Sequence, residues 1–223
     1  MAVVGIIPAA GYATRLEPLD MSKEVYPVGG RPVIEYLIER MWAAPCDELR
    51  VVTRPDKHDV IENARRNGAR VVEARPPSVA RSLLEGMRGL SDDDLVLLGF
   101  PDSIWEPVDG YARVLELLRE GWEVALGLFR AADLRRYEPV VFDESGKVLR
   151  IEFKPERPSS NWIWGCAAAS VATLRGLEHE EEPGVLFNSL CEKGSVAGVR
   201  FAEEYIDMGT HHGLREARDA MGG

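Results

Sequence analysis

Two cationic residues follow a loop of small residues close to the start of the chain. The apolar stretch 2–8 is followed by small residues at positions 9–11, and Arg15 and Lys23 come after them. Backbone N–H groups in such a loop stay open to a ligand and suit phosphate oxygens, and two fixed cations beside it suit a polyphosphate. The segment therefore predicts a phosphate site. The alternative is that its small residues only make a tight turn between a strand and a helix.

Two aspartates further along the chain have the chemistry of magnesium ligands. Asp102 follows the apolar run 95–100, and Asp207 lies in the segment 205–210. Mg²⁺ binds hard oxygen ligands and takes one or two carboxylates, while phosphates and water complete its shell. The alternative for each aspartate is a turn residue or a helix cap. Their spacing in sequence does not show whether the two side chains meet.

A third candidate position is Lys154, in the segment 151–155 at the end of a predicted hairpin. Its ammonium group would suit the phosphate of a second substrate. The alternative is a solvent-exposed lysine at the edge of the hairpin. Trp162 and Trp164 have the spacing of neighbours on one face of a strand. Their rings would suit a sugar or a base, but packing in the core is the favoured interpretation.

The first half of the chain alternates between strand and helix patterns, and these elements must position the candidate residues. Strands are predicted at 2–8, 49–53, 70–73, 95–100 and 122–129, with helices at 33–44, 56–67, 78–88 and 109–119. Ser78 is the expected N-cap of the third helix. Such alternation predicts βαβ units and a mostly parallel sheet, at whose carboxyl edge ligands bind.

The second half of the chain lacks this regular alternation of strands and helices. A β-hairpin is predicted over 140–143 and 148–153, followed by strands at 163–169 and 195–202 and by helices at 171–177, 185–192 and 210–221. The length of 223 residues suits one mixed α/β domain, 1–223. We expect its first half, 1–130, to bind one ligand and the hairpin region in 131–223 to cover a second.

Composition excludes several classes of partner. The chain has 27 Lys and Arg against 37 Asp and Glu, a net charge of −10, which argues against nucleic-acid binding. No apolar run approaches the ~20 residues of a membrane span, and no signal peptide is apparent, so no membrane partner is expected. Three widely spaced cysteines form no disulfide framework, and we expect reduced thiols in the cytoplasm.

In their order and spacing these motifs resemble the sugar-1-phosphate nucleotidyltransferases, most closely the glucose-1-phosphate thymidylyltransferase-like branch. The resemblance extends from Gly5 to about Ala217. The family's glycine-rich loop with Thr-Arg-Leu corresponds to residues 10–16, its lysine to Lys23 and its Pro-Val-Gly-x-Pro segment to 27–32. Its strand-end aspartate corresponds to Asp102, its Glu-Lys-Pro motif to 153–155 and its Asp-x-Gly-Thr motif to 207–210.

The resemblance implies a fold, a reaction and a set of roles. The fold would be a Rossmann-like three-layer α/β structure, with a mixed, mostly parallel sheet and helices on both faces. The reaction would join a nucleoside triphosphate to a sugar 1-phosphate, releasing pyrophosphate, with Mg²⁺ as cofactor. The residues implied for the nucleotide are Ala9, Ala10, Gly11, Thr14, Arg15, Lys23 and Asp102, of which Arg15 and Lys23 would be catalytic. Those implied for the second substrate are Phe153, Lys154 and Glu138, and those implied for the metal are Asp102 and Asp207.

Several positions depart from the family pattern. Ala13 replaces a loop glycine, Phe153 replaces a sugar-binding glutamate, and Glu138 replaces a glycine. The family's base-reading glutamine falls near 74–75, where no glutamine exists. These changes leave two alternatives: a non-catalytic nucleotide-sugar-binding protein, or a nucleotidyltransferase for another phosphate such as phosphocholine. The base, the sugar and the oligomeric state stay open, a homo-oligomer included.

Overall fold

Eight strands form one central sheet in the computed structural model, which describes residues 1–12, 20–131, 134–209, 213–215, 217 and 219. The strands of the described residues are β1 (Val3–Pro8), β2 (Pro27–Val28), β3 (Arg31–Pro32), β4 (Glu48–Thr53), β5 (Arg70–Glu73), β6 (Leu95–Gly99), β7 (Ser103–Trp105), β8 (Val124–Arg130), β9 (Val140–Phe142), β10 (Val148–Ile151), β11 (Trp162–Ser170) and β12 (Val196–Asp207). The order in the sheet is β5-β4-β1-β6-β11-β8-β12-β7.

The sheet is mixed and mostly parallel. Strands β5, β4, β1 and β6 run parallel, as do β8 and β12. Strand β11 is antiparallel to both of its neighbours, and β7 is antiparallel to β12. The inner strands are nearly continuous apolar runs because both of their faces are covered.

Helices cover both faces of the sheet. The α-helices with assigned bounds are α1 (Ile34–Ala43), α2 (His58–Arg66), α3 (Val79–Gly86), α4 (Gly110–Arg119), α5 (Val171–Leu174) and α6 (Pro183–Glu192). Leu83 of α3 and Phe187 of α6 lie in one buried apolar cluster, while Leu37 of α1 and Tyr111 of α4 lie in another. Successive residues of β1 enter different clusters, as the alternation of a strand requires. The predicted three-layer fold is confirmed.

Most of the predicted helices and strands are present in the structure. Ser78 caps α3 as predicted, because its Oγ accepts a hydrogen bond from the N–H of Arg81 at 3.2 Å. Gly146 makes the β9–β10 turn with a φ of 89°, and the two strands pair antiparallel. None of the described helices is both long enough and apolar enough to cross a membrane.

Two boundaries differ from the prediction, and the last predicted helix is described only in part. The hairpin strand β10 ends at Ile151, and Lys154 has a φ of 44°, which a strand does not allow. Strand β12 continues to Asp207 because its end pairs with the three-residue strand β7, which no local pattern predicts. For the predicted helix 210–221, residues 213–215, 217 and 219 are helical, and the remaining positions lie outside the described residues.

Candidate active site

A cavity of about 720 Å³ opens where β1 and β6 end. Residues 10–12 line it after β1, and residues 100–102 line it after β6. The carboxyl ends of these two neighbouring parallel strands meet at one edge of the sheet, where open α/β sheets bind their ligands. The small-residue loop and Asp102 therefore face one space, as the sequence predicts for a common site.

Strand pairing brings Asp207 to Asp102. The end of β12 pairs with β7 so that Asp207 lies opposite Ser103, and the N–H of Met208 donates to the carbonyl of Asp102 at 2.8 Å. A Cβ added to Gly209 would lie 2.9 Å from Asp207 Oδ1 and 3.2 Å from Asp102 Oδ2. Both carboxylates thus flank one small volume, which a side chain at position 209 would occupy.

Lys23 contributes a cation to the same point. It lies in a 3₁₀ turn, Lys23–Val25, and its Nζ is 2.5 Å from Asp102 Oδ2. Burial opposes the charge, but attraction to Asp102 and Asp207 outweighs it and raises the pKa of Lys23 above its ordinary value. The lysine is therefore protonated at neutral pH. The stability that its ion pair contributes is lost only as the pH rises through that raised pKa.

The two carboxylates fit Mg²⁺ by the chemistry of their donors. Two aspartate carboxylates supply hard oxygen ligands and leave most of an octahedral shell to phosphates and water. Within the part of the chain that the structure describes, no three His, Cys, Asp or Glu residues are grouped to hold a metal ion. Two carboxylates leave room for phosphate oxygens in the shell, so the pair fits a metal that a phosphorylated ligand also coordinates.

Two contacts on either side of Lys23 fix the backbone that carries it. The carboxylate of Asp59 accepts hydrogen bonds from the N–H and the Oγ of Ser22, both at 2.8 Å. The Nζ of Lys57 donates to both carboxylate oxygens of Glu24 at 2.8 Å. Lys57 and Asp59 lie at the start of α2. Residues 22 and 24 are thus both anchored to this helix, which holds Lys23 toward the cavity.

The pair of Glu24 and Lys57 is buried, with 1% and 6% of the side chains exposed. Burial outweighs their mutual attraction, so the pKa of Glu24 is raised and the pKa of Lys57 is lowered. We expect Lys57→Met to reduce the free energy of unfolding by about 3–5 kcal/mol, because it leaves the Glu24 carboxylate buried without its cation. Urea denaturation measures this value.

The matched control is the double variant Glu24→Gln/Lys57→Met, which removes both charges. We expect it to recover a substantial part of the lost stability. Equal losses in the single and the double variant would mean that the pair does not couple the two segments.

Two walls extend from this centre. Residues 76–79 and Ser82 form the α3 wall, where the buried Oγ of Ser82 has no hydrogen-bond partner among the described residues. We call the second wall the aromatic wall; its residues are Phe100, Tyr137, Glu138, Trp164 and Glu182. The rings of Phe100 and Trp164 lie 5.3 Å apart, and Trp164 Nε1 donates to Glu138 Oε2 at 2.9 Å. Because Phe100 is two residues from Asp102, the aromatic wall begins at the carboxylate pair.

The structure brings some of the predicted site residues together and leaves others apart. The cavity is lined by Ala10, Gly11, Lys23, Asp102, Glu138 and Asp207. Ala9 is buried beneath the loop, where its carbonyl accepts hydrogen bonds from Thr53 and Lys57. Phe153 and Lys154 are exposed and do not line the cavity, although the charge of Lys154 acts on Glu182. Thr14 and Arg15 lie outside the described residues.

Sequence reasoning missed several lining residues. Glu24, Ser82, Tyr137 and Glu182 belong to no motif, and only their tertiary contacts bring them to the cavity. Trp164 is 8% exposed and packs in the core, as expected, yet it also lines the cavity. Its spacing from Trp162 was the available signal, but a period of two does not distinguish a core face from a ligand face.

This chain is similar to one family model and to curated proteins along most of its length. The model of the MobA-like NTP transferase domain family matches residues 5–151. A curated glucose-1-phosphate thymidylyltransferase of Neisseria meningitidis serogroup A is 26% identical over 237 residues, covering 96% of this chain and 80% of that protein. A second such protein, from Xanthomonas campestris pv. campestris strain B100, is 27% identical over 234 residues, covering 96% and 78%.

Solved structures share the fold. A Bacillus anthracis protein described as a candidate glucose-1-phosphate thymidylyltransferase, in complex with sucrose, has a TM-score of 0.87 at 20% identity, covering 99% of this chain and 95% of its own. UDP-glucose pyrophosphorylase from Acinetobacter baumanii has a TM-score of 0.84 at 18% identity, covering 100% and 94%. Together with the family match, these findings confirm the predicted resemblance, the fold class and the enzyme class, nucleotidyltransferase.

Proposed function

Because the chain belongs to the MobA-like NTP transferase domain family, we propose that it transfers a nucleotidyl group from a nucleoside triphosphate to a sugar 1-phosphate. One observation carries the proposal: Asp102, Asp207 and Lys23 converge at the edge of the sheet where the small-residue loop also ends. Two carboxylates and a fixed ammonium group are the charges that a triphosphate with Mg²⁺ requires.

The reaction exchanges one phosphoanhydride bond for another. An oxygen of the acceptor phosphate attacks the α-phosphorus, and the bond from that phosphorus to the oxygen bridging to the β-phosphate breaks. Pyrophosphate leaves with the electron pair of the broken bond. No covalent intermediate with the protein is needed, so positioning and charge stabilisation supply the rate enhancement.

Each charged residue has a proposed role in that exchange. Lys23, already protonated, holds the triphosphate and stabilises the charge of the departing pyrophosphate, with Arg15 as its proposed partner. Asp102 and Asp207 would hold Mg²⁺. When bound, the metal would neutralise phosphate charge and polarise the α-phosphate. Lys154, which is exposed outside the cavity, is proposed to attract the acceptor phosphate as it approaches.

The two walls suggest where the organic parts of the substrates lie. The α3 wall follows β5 on the side of the parallel strands, and it suits the nucleoside. Its buried Ser82 hydroxyl is available to a polar atom of the base. The aromatic wall, built mainly from the second half of the chain, suits the acceptor. We place the reaction in a reducing compartment such as the cytoplasm, since the three cysteines are free thiols.

A pyrophosphate-release assay tests the proposal. The full chain is incubated with Mg²⁺, each of four nucleoside triphosphates and a panel of phosphate acceptors, and pyrophosphate is detected as phosphate after pyrophosphatase treatment. We expect release that depends on both the acceptor and Mg²⁺. If no combination releases pyrophosphate while nucleotides or nucleotide-sugars still bind in calorimetry, the protein is a binding protein and not an enzyme.

A further inference from the structure

The charges that line the cavity are unevenly balanced. Among the described lining residues, Glu24 is paired with Lys57, and Asp102 is paired with Lys23. Asp207 contributes to the same centre, where Mg²⁺ would add positive charge. Glu138, on the aromatic wall, belongs to neither of these arrangements.

Glu138 is a partly buried carboxylate with a neutral hydrogen-bond donor. Its Oε2 accepts a hydrogen bond from Trp164 Nε1, and among the described residues it forms no ion pair. Burial raises the pKa of Glu138, and the Trp164 hydrogen bond only partly offsets that effect. Gly184 lies directly against the carboxyl group, and a Cβ there would collide with it. The backbone is thus built to leave room for this charge.

The surroundings of Glu138 are aromatic. The ring of Trp164 packs between Phe100 and Phe187, at centroid distances of 5.3 and 5.4 Å. Tyr137 and Tyr205 form a second aromatic pair in the same cavity, 6.0 Å apart. Aromatic faces attract cations, and this attraction strengthens when the cation is desolvated. A second carboxylate, Glu182, stands at the exposed rim of the same wall, where the charge of Lys154 acts on it.

We infer that the acceptor carries a positively charged nitrogen, which Glu138 binds beside the rings of the aromatic wall while the acceptor's phosphate lies toward Asp102 and Asp207. This inference rests on the proposed function and specifies its acceptor as an ammonium-bearing phosphate monoester. An amino sugar 1-phosphate and a phosphorylated amino alcohol such as phosphocholine share this chemistry.

An acceptor without a positive charge would not compensate the charge of Glu138. Hydroxyl groups would donate to the Glu138 carboxylate but would leave its charge without compensation as the substrate displaces water. A carboxylate that loses water needs a counter-charge to offset its desolvation. An ammonium group supplies that charge and also gains from the aromatic faces. Aromatic rings next to carboxylates therefore favour a cation over a neutral sugar of similar size.

Matched pairs of acceptors test the inference on the full chain. Glucosamine 1-phosphate is compared with glucose 1-phosphate. Phosphocholine is compared with 3,3-dimethylbutyl phosphate, an isostere in which a neutral tert-butyl group replaces the trimethylammonium group. We expect the charged member of at least one pair to have a kcat/KM about tenfold higher or more, and the pair that responds identifies the kind of acceptor. The same compounds are titrated by calorimetry in the presence of Mg²⁺ and a non-hydrolysable triphosphate analogue.

Variants that each remove one carboxylate charge show which residue causes the preference for the charged acceptor. Glu138→Gln keeps the size and hydrogen-bond acceptor of the side chain, and we expect it to reduce the preference for the charged member to within about twofold. Glu182→Gln, at the exposed rim, should reduce the preference by only about two- to threefold, and it leaves Glu138 and Trp164 in place. The matched control is Glu181→Gln, the same change at a neighbouring exposed residue that does not line the cavity.

The outcomes separate the inference from the proposed function. Equal use of both members of each pair, or an unchanged preference in Glu138→Gln and Glu182→Gln, would overturn the inference while nucleotidyl transfer stands. If nothing is turned over but the charged ligands bind more tightly in a Glu138-dependent manner, the inferred cation site stands and the proposed function fails. If neither turnover nor preferential binding is found, both are wrong.

Discussion

Asp102→Asn is expected to lower kcat/KM by on the order of 1,000-fold, which corresponds to about 4 kcal/mol of transition-state stabilisation. The substitution keeps the shape of the side chain but removes one of the two charges that would hold Mg²⁺. It also removes the partner of Lys23, whose Nζ is 2.5 Å from the carboxylate. Initial rates of pyrophosphate release over a range of Mg²⁺ concentrations measure the effect, and the Mg²⁺ concentration for half-maximal rate should rise.

The control for Asp102→Asn is Asp92→Asn, the same chemical change at an exposed aspartate that pairs with Arg175 outside the cavity. We expect this control to retain activity within about twofold, since exposed ion pairs contribute little. A rate for Asp102→Asn close to that of the control would remove the carboxylate pair from the proposed mechanism. Binding of nucleotide that is unaffected by Asp102→Asn, in a protein without turnover, would instead favour the binding-protein alternative.

The second large effect is expected for Lys23→Met, which should reduce kcat by about 100- to 1,000-fold. Methionine keeps much of the length and apolar volume of the side chain but removes the charge that stabilises the leaving pyrophosphate. Because the pKa of Lys23 is raised, the wild-type lysine is protonated throughout the neutral range. Its deprotonation should therefore not limit the rate between about pH 6 and 9, and steady-state rates over that range test this.

Lys193→Met serves as the control for Lys23→Met, because Lys193 is exposed and follows the end of α6. Its rate should stay close to that of the wild type. The double variant Asp102→Asn/Lys23→Met should lose less than the product of the two single effects, since both residues act at one point. Fully multiplicative losses would argue that the two side chains act on different steps.

Much of the fold could be predicted because its signals are local. The helix α3 begins after Ser78, whose hydroxyl caps a backbone N–H three residues away. The runs at β1 and β6 are strands because short apolar stretches bury both faces of a sheet. Hydrogen bonds and packing within a few residues decide these features, so a single sequence is enough to read them.

The site could be predicted only in part. The chemistry of Lys23, Asp102 and Asp207 follows from residue type and from their motifs. The short strand β7 could not be predicted, because three residues carry no periodicity and its pairing partner lies at the far end of the chain. The roles of Glu24 and Lys57 are equally hidden, since exposed charges and a buried pair look the same in a sequence.

By itself, the sequence determined which chemical groups the protein has available and that parallel strands would end beside them. Residue type and local periodicity are sufficient for both conclusions. Only the tertiary structure decided that Asp207 meets Asp102, through the register Asp207 to Ser103, and that Glu138 stands against Trp164. Pairing between distant strands and burial in a shared cavity depend on the whole arrangement of the sheet, which local interactions do not encode.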